Sequence, residues 1–212
     1  ANLEEAVYYL AWEEGIFVPG RGGALSLTGG HQAQIPSSTI EPIFSGDFTL
    51  EFWVNLSQDP GNNAPLISNH GRISGNSTGF TLEMPDNNSV SAVFGTGGSP
   101  WNAINSGAAL IVGEWNHIAV TASPGDMIKL YVNGELKNSG TYNAYAPNST
   151  WDFALGKSIN YGGESNSVMD EFRIWSHIKT QEEIVAQMHS TITSGTDLVF
   201  NYTFDQDDDG TL

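Results

Sequence analysis

Between Phe48 and Leu56 the chain alternates without a break. Phe48, Leu50, Phe52, Val54 and Leu56 fall on one side of an extended segment, and Thr49, Glu51, Trp53 and Asn55 on the other. Successive side chains of a strand point to opposite faces, so this pattern reads as a half-buried strand with one apolar and one polar face. The same logic covers Trp115 to Ala122, with Ile118 and Val120 inward, and Ile128 to Leu136, with Ile128, Leu130 and Val132 inward. The latter run carries an Asn133-Gly134 pair. A type I′ turn needs φ > 0 at both central positions, and Asn-Gly meets that need, so a hairpin is expected there. Weaker strand patterns lie at 24–28, 32–36, 65–68, 79–84, 89–95, 108–112, 151–156, 169–175 and 197–204.

Many short strands separated by Gly, Asn, Ser and Pro clusters predict an all-β, two-sheet antiparallel sandwich rather than βαβ units. One short surface helix is expected near 181–189, lying over one end of the sandwich. Thr180 followed by Gln181, Glu182 and Glu183 is a capping box, and Ile184, Val185 and Met188 supply an apolar stripe. With 212 residues, a single domain over 1–204 is expected, followed by an acidic linker or the start of a further module at 205–212. Val7 to Glu13 can be laid over Val199 to Asp205 without gaps. Either the two ends form neighbouring strands of one sheet, or the second copy begins the next module of an array.

Lys and Arg number 7 against 24 Asp and Glu, a formal net charge of −17. A field of that sign repels polyanions, which removes nucleic acid as a partner. It also leaves carboxylates that either solvent or a bound calcium ion can satisfy. Cysteine is absent, so disulfides, thiolate metal sites and cysteine nucleophiles are excluded together. No run approaches the roughly 20 apolar residues of a membrane span. A start at Ala1 rather than Met is expected of a processed chain or of a piece of a longer one.

Four segments then occur in order: Phe48-Thr49-Leu50-Glu51-Phe52-Trp53-Val54, Gly113-Glu114-Trp115-Asn116-His117-Ile118-Ala119-Val120, Leu130-Tyr131-Val132-Asn133-Gly134-Glu135-Leu136, and Met169-Asp170-Glu171-Phe172-Arg173-Ile174-Trp175. Together they resemble the laminin-G-like jelly rolls of the concanavalin A-like lectin/glucanase superfamily, which also contains the pentraxins. The resemblance spans about residues 24–204 and implies a jelly-roll sandwich, here of bacterial origin given the missing disulfides. It also implies a structural calcium, held by Asp170 with main-chain oxygens of the Gly29-Gly30 region, a donor set of hard oxygens that suits the ion. The alternative is that Asp170 and Glu171 pair with Arg173 or cap a turn. Asp205, Asp207, Asp209 and Gly210 match the first positions of a calcium loop but lack its closing Glu, and a solvated acidic linker is the simpler reading.

Trp101 and Trp151 stand in polar, turn-like sequence beside Asn102 and Asp152, and Tyr145, Asn160 and Tyr161 belong with them. Sugar rings stack their C–H faces on aromatic planes while amides and carboxylates bond the hydroxyls, so these residues are candidates for a glycan site. Each could equally cover an end of the sandwich. Trp53 is either a platform on a sheet face or a ring packed beneath a loop, and His117 is expected to be packed and hydrogen-bonded in its strand. His31, His70, His177 and His189 show no metal-ligand spacing.

The strand spacing of paired carboxylates that a retaining glycosidase requires is missing, as is a Gly-x-Ser-x-Gly elbow, and 7 dispersed basic residues do not assemble a lyase site. The chain is therefore expected to be no enzyme. The expected function is a calcium-supported, lectin-like module of an exported adhesin or polysaccharide-processing protein, secreted or at the cell surface, with glycan as partner. A spacer contacting neighbouring modules is the alternative, and a glycan-active hydrolase or lyase a lesser one.

Overall fold

The structure is a computed structural model that describes residues 22–73, 76–98 and 101–205, with the side chains of 72–76 outside the description. Two antiparallel sheets face each other. The first contains β1 (Leu25–Ser26), β14 (Ser167–Trp175), β3 (Phe48–Leu56), β10 (Trp115–Ala122), β11 (Met127–Val132) and β12 (Glu135–Thr141) in that spatial order, with β15 (Leu198–Tyr202) also paired to β14. The second runs β2 (Ala33–Ile35), β13 (Phe153–Leu155), β4 (Ala64–Ser68), β7 (Phe80–Met84), β8 (Ser91–Phe94) and β9 (Asn102–Asn105). A small ribbon of β5 (Gly71–Ile73) and β6 (Asn76–Thr78) stands apart. The order of strands in both sheets is that of a jelly-roll sandwich.

The alternating segments occupy their expected places. All five apolar residues of β3 join the core with Ile118, Val120, Ile128, Leu130 and Val132, facing Phe80, Leu82, Phe94 and Phe153 of the second sheet. Asn133 and Gly134 carry φ of 52 and 75° and close the β11–β12 hairpin. In β14 the spacing breaks, yet Met169, Phe172 and Ile174 are all buried in the core. A bulge resolves the conflict: the register against β3 shifts between Asp170 and Arg173, Glu171 takes φ 51°, and its N–H is held by Asp170 Oδ1 at 2.7 Å. One inserted residue returns the core-facing phase to the rest of the strand.

Several expectations need correction. The segment 108–112 is a loop, because the amides of Ala109 and Leu110 both donate to Asn88 O and that of Ile111 to Asn116 Oδ1, leaving no ladder for a strand. Its place in the sheet is taken by β9. A helix α1 (Ser37–Phe44), which burial of Ile40 and Phe44 holds despite Pro42, was not foreseen. The expected helix is α2 (Gln181–Gln187), with both bonds of the Thr180–Glu183 capping box formed. It lies on the outer face of the first sheet rather than over an end: Ile184 packs on Ala119 and Tyr131, and Gln181 Nε2 donates to Gly134 O. The segments flanking α2 bury the second face of β3 too: Thr49 bonds His177 O and Lys179 N, Glu51 accepts from Lys179, and Trp53 donates to Met188 O, leaving all three nearly inaccessible. Val7 to Glu13, the segment matched to the C-terminal strand, lies outside the described residues.

Candidate functional site

On β7 the core residues Phe80, Leu82 and Met84 alternate with Thr81 and Glu83, which therefore point to the outer face of the second sheet. The loop after β13 crosses this face. It is closed by a Lys157–Glu164 bridge and pinned at its tip by Ser158 Oγ, which accepts from the amides of Asn160 and Tyr161. Tyr161 reaches down so that its hydroxyl donates to Glu83 Oε2 at 3.2 Å and lies 3.2 Å from Thr81 Oγ1. Asn160 Nδ2 donates to His70 O at 3.4 Å. His70 is fully buried, its Nε2 2.6 Å from Ser77 Oγ, and both Trp101 and Tyr161 meet its ring edge-on at 6.1 and 6.4 Å between centroids.

Trp101 is 44% exposed. Trp101 thus presents an apolar ring to solvent against buried His70, from which contacts lead to half-buried Asn160 and Tyr161 and, through the Tyr161 hydroxyl, to buried Thr81 and Glu83. An exposed ring with half-buried Asn160 and Tyr161 in the same cluster suits a polyhydroxylated ligand, which needs a flat apolar contact with polar partners near it.

Three of the candidate residues, Trp101, Asn160 and Tyr161, are thus brought together. Asn102 is next to Trp101 in the chain, with its Nδ2 tied to Ala144 O at 2.9 Å. Tyr145 and Trp151 do not join them. The Tyr145 ring packs against Phe44, Phe94 and Tyr142, and its hydroxyl donates to buried Glu41 at 2.7 Å. Glu41 also accepts from Asn148 N and Asn69 Nδ2, so this is an internal polar knot tying α1 to the loops. Burial raises the Glu41 carboxyl above its ordinary value in spite of those bonds. Trp151 stands in the turn before β13, where the neighbouring Asp152 accepts from Ser37 N at the start of α1. His70, Ser77, Thr81 and Glu83, which join Trp101, Asn160 and Tyr161 through these contacts, carry no motif in the sequence, although the alternation of β7 marks Thr81 and Glu83 as outward. Two hollows of about 370 and 390 Å³ lie elsewhere, one beside α1 at Ser37, Glu41 and Ser149 and one beside Trp175, His177 and Glu183. A stacking platform requires an exposed ring rather than a hollow, so neither displaces the Trp101 face.

The outer face of the first sheet holds a closed ionic network. Glu51 Oε1 accepts from Lys179 Nζ at 2.7 Å and Trp175 Nε1 at 2.9 Å, with Arg173 Nη1 at 3.7 Å. Burial alone would push the Glu51 carboxyl up, but His117, Lys179 and Arg173 outweigh it and hold it below the usual value. His117 is itself drawn down to about 4, chiefly by burial and against the pull of Glu51, so near neutral pH the compensating charges are Lys179 and Arg173. Its ring lies 3.8 Å from Glu51 and makes no hydrogen bond, so it is packed as expected but not bonded through its ring. Trp53 donates to Met188 O and contacts His117 and His189 at 5.2 Å, which places it beneath the segment after α2.

The calcium set is not assembled as expected. Gly29 N donates to Asn166 Oδ1, whereas Asp170 lies four residues further along β14, roughly 13 Å at strand rise. The antiparallel register decides this, since Leu25 sits opposite Met169 and the chain runs away from Asp170 as it approaches Gly29. Asp170 has Glu171 as its neighbour instead. Burial, then the carboxylates of Asp170 and Asp205, pushes Glu171 up to about 7 against the pull of Arg173. Crowded carboxyls of this kind are donors that suit a hard cation, although no three His, Asp or Glu side chains among the described residues form a metal-holding group. Asp207, Asp209 and Gly210 lie outside the described residues. Among the described residues no helix is long and apolar enough to cross a membrane.

Comparison with known structures agrees with this architecture. The IT-sialidase CBM40 of Ruminococcus gnavus superposes with a TM-score of 0.59 at 17% identity, over 79% of this chain and 97% of that one. The binding domain of Paraclostridial Mosquitocidal Protein 1 gives 0.61 at 18%, over 82% and 45%, and that of Botulinum Neurotoxin DC gives 0.56 at 13%, over 81% and 43%. The match thus spans nearly all of the CBM40 chain but under half of each of the two binding-domain chains. No curated protein matches the sequence. The profile of one family matches residues 27–185, three quarters of the chain, and by it the protein belongs to the laminin-G-like branch of the Concanavalin A-like lectin/glucanases superfamily.

Proposed function

We propose that the protein is a non-catalytic carbohydrate-binding module of an exported adhesin or polysaccharide-processing protein, and that it takes glycan on the outer face of the second sheet at Trp101. The observation that carries this reading is the exposed Trp101 indole set edge-on to buried His70, in one cluster with Asn160 and Tyr161. The names of structural neighbours support it: a sialidase module bound to α2,3-sialyllactose and a neurotoxin binding domain in complex with SialylT share this fold. A glycan array probed with the native protein and with Trp101→Ala tests it. Binding to at least one glycan, weakened in the variant while the melting temperature is kept, is the expected result. No binding across a broad panel of plant, marine and animal glycans would refute it.

Calcium belongs to the proposal as a structural ion at the Asp170–Glu171 bulge, where it would neutralise the crowded carboxyls. A chelator is then expected to lower the melting temperature, since an ion that binds only the folded chain stabilises it. An unchanged melt would remove calcium from the account.

A further inference from the structure

We propose that the hollow beside Trp175, on the outer side of the first sheet, is a second binding site and takes a small neutral sugar. This goes beyond the reading of the Trp101 face and stands independently of it. The hollow measures about 390 Å³, at the lower end of the roughly 300–1,000 Å³ of small-molecule sites. Its lining includes buried Trp175 and Lys179, half-buried His177 and Gln187, and exposed Glu183 and Ser194. The segment 188–197, which supplies the facing wall, is fixed at three points. Met188 O accepts from Trp53 Nε1, Ile192 O from Asn201 Nδ2 and Asp197 O from Ser176 N, each at 2.8 Å. Between these ties Gly195 passes so close to Trp175 that a Cβ there would stand 3.1 Å from the ring. A ligand therefore meets a wall already in place and loses little free energy in ordering it.

The class of ligand follows from what the hollow leaves unsatisfied. Gln187 Oε1 and His177 Nδ1 are both buried and have no hydrogen-bond partner among the described residues, with Asp197 Oδ2 standing 3.9 Å from the latter. Buried polar atoms are nearly always bonded, so two on residues of one hollow point to a ligand that bonds them. Lys179 carries three N–H donors. One goes to Glu51 Oε1 at 2.7 Å and the ammonium stands 3.8 Å over the Trp175 ring, which leaves a donor for an oxygen acceptor. A hydroxyl both donates and accepts, so it answers the amide oxygen, the ammonium and either tautomer of the imidazole. Charge disfavours the other classes. The Lys179 charge is already met by Glu51, and Glu183 lines the same hollow, so an anion finds no net attraction there. The same buried ammonium repels a cation.

Two-dimensional proton–nitrogen NMR reads the site residue by residue. Glucose, galactose, mannose, xylose and N-acetylglucosamine are titrated singly into the native protein, with acetate, methylamine and glycine as charged contrasts. At least one sugar is expected to shift the Gln187 side-chain amide, the Trp175 indole N–H and the backbone amides of 190–196, and none of the charged compounds to do so. Gln187→Leu should weaken that sugar about fivefold or more, and Ser194→Leu, which fills the hollow, should abolish the response. Trp101→Ala should leave it unchanged, whether or not the Trp101 face binds glycan. No shift with any sugar would show a hollow that holds water alone and would overturn the proposal. A response to acetate, methylamine or glycine that Ser194→Leu removes would overturn the neutral class. A sugar response that survives both Gln187→Leu and Ser194→Leu, or that Trp101→Ala abolishes, would overturn the assignment of a second site to this hollow. Ser194 is exposed and Gln187 half-buried at the end of α2, so both variants should keep the fold, which unchanged melting curves verify.

Discussion

Replacing Glu51 by Gln takes one negative charge from a place where the fold has buried two positive ones. Gln keeps the shape and one acceptor oxygen, so Trp175 Nε1 and Lys179 Nζ, now 2.9 and 2.7 Å from Oε1, retain a partner atom. What disappears is the charge. Arg173 keeps Glu171 at 3.2 Å, but Lys179 is left with the Trp175 ring at 3.8 Å, a cation–π contact of about 1–2 kcal/mol. Removing one member of a buried ion pair costs about 3–5 kcal/mol, because the remaining charge stays desolvated. For a domain of this size each kcal/mol shifts the melting temperature by about 2–4 °C, so the variant should melt roughly 10 °C lower. Differential scanning calorimetry at neutral pH measures this directly. Lys179, already held below its ordinary value by burial against the pull of Glu51, would lose that pull, so the deficit should shrink as pH rises and the lysine sheds its proton. In Glu51→Gln/Lys179→Met the lone charge is gone, and the double variant should recover about 1–3 kcal/mol over the sum of the singles. A single variant melting within about 2 °C of the native protein, with additive double-variant behaviour, would refute the reasoning that Glu51 compensates the buried charge of Lys179.

Two further outcomes follow from local geometry. Glu171 is raised to about 7 in the folded chain from an ordinary 4.5, so the folded form binds the extra proton between those values and stability should fall as pH rises through the window. The full effect is roughly 3 kcal/mol. His117, lowered from 6.5 to about 4, acts in the opposite sense over the lower part of that range, so the native melt should be nearly flat up to about pH 6.5 and decline near 7. Glu171→Gln in the presence of chelator should abolish the decline, and a decline of equal size would refute the assignment. Gly79 has φ +78°, and a Cβ there would stand 2.6 Å from Asn69 Oδ1 and 2.8 Å from Asn69 O. Gly79→Ala should therefore cost about 3 kcal/mol in urea unfolding, from left-handed strain plus overlap, and a loss under about 1 kcal/mol would show that the Asn69–Asn148 knot yields.

The sandwich was legible in the sequence because its information is local. Period-two alternation in Phe48–Leu56, Trp115–Ala122 and Ile128–Val132 names the core-facing residues whatever the partner strands are, and the Asn133-Gly134 pair and the Thr180–Glu183 box carry their own backbone geometry. Absent cysteine excluded thiol chemistry on the same terms, and the net charge of −17 set the expectation that polyanions are repelled. What the tertiary structure alone decided is everything that depends on long-range register or on cover. The strand pairing of Leu25 with Met169 carried Gly29 away from Asp170 and separated a donor set that lies near in motif but not in space. Helix α2 packed on β10 and β11 while the segments flanking it, at Lys179 and at Met188–His189, covered β3, and Glu51, Trp53 and His117, polar-face positions by alternation, became buried. Of the aromatic residues in polar sequence, Tyr145 went to the core edge and Trp101 to solvent, because a ring's exposure is set by whether distant segments, here α1 and the strands around Phe94, arrive to cover it.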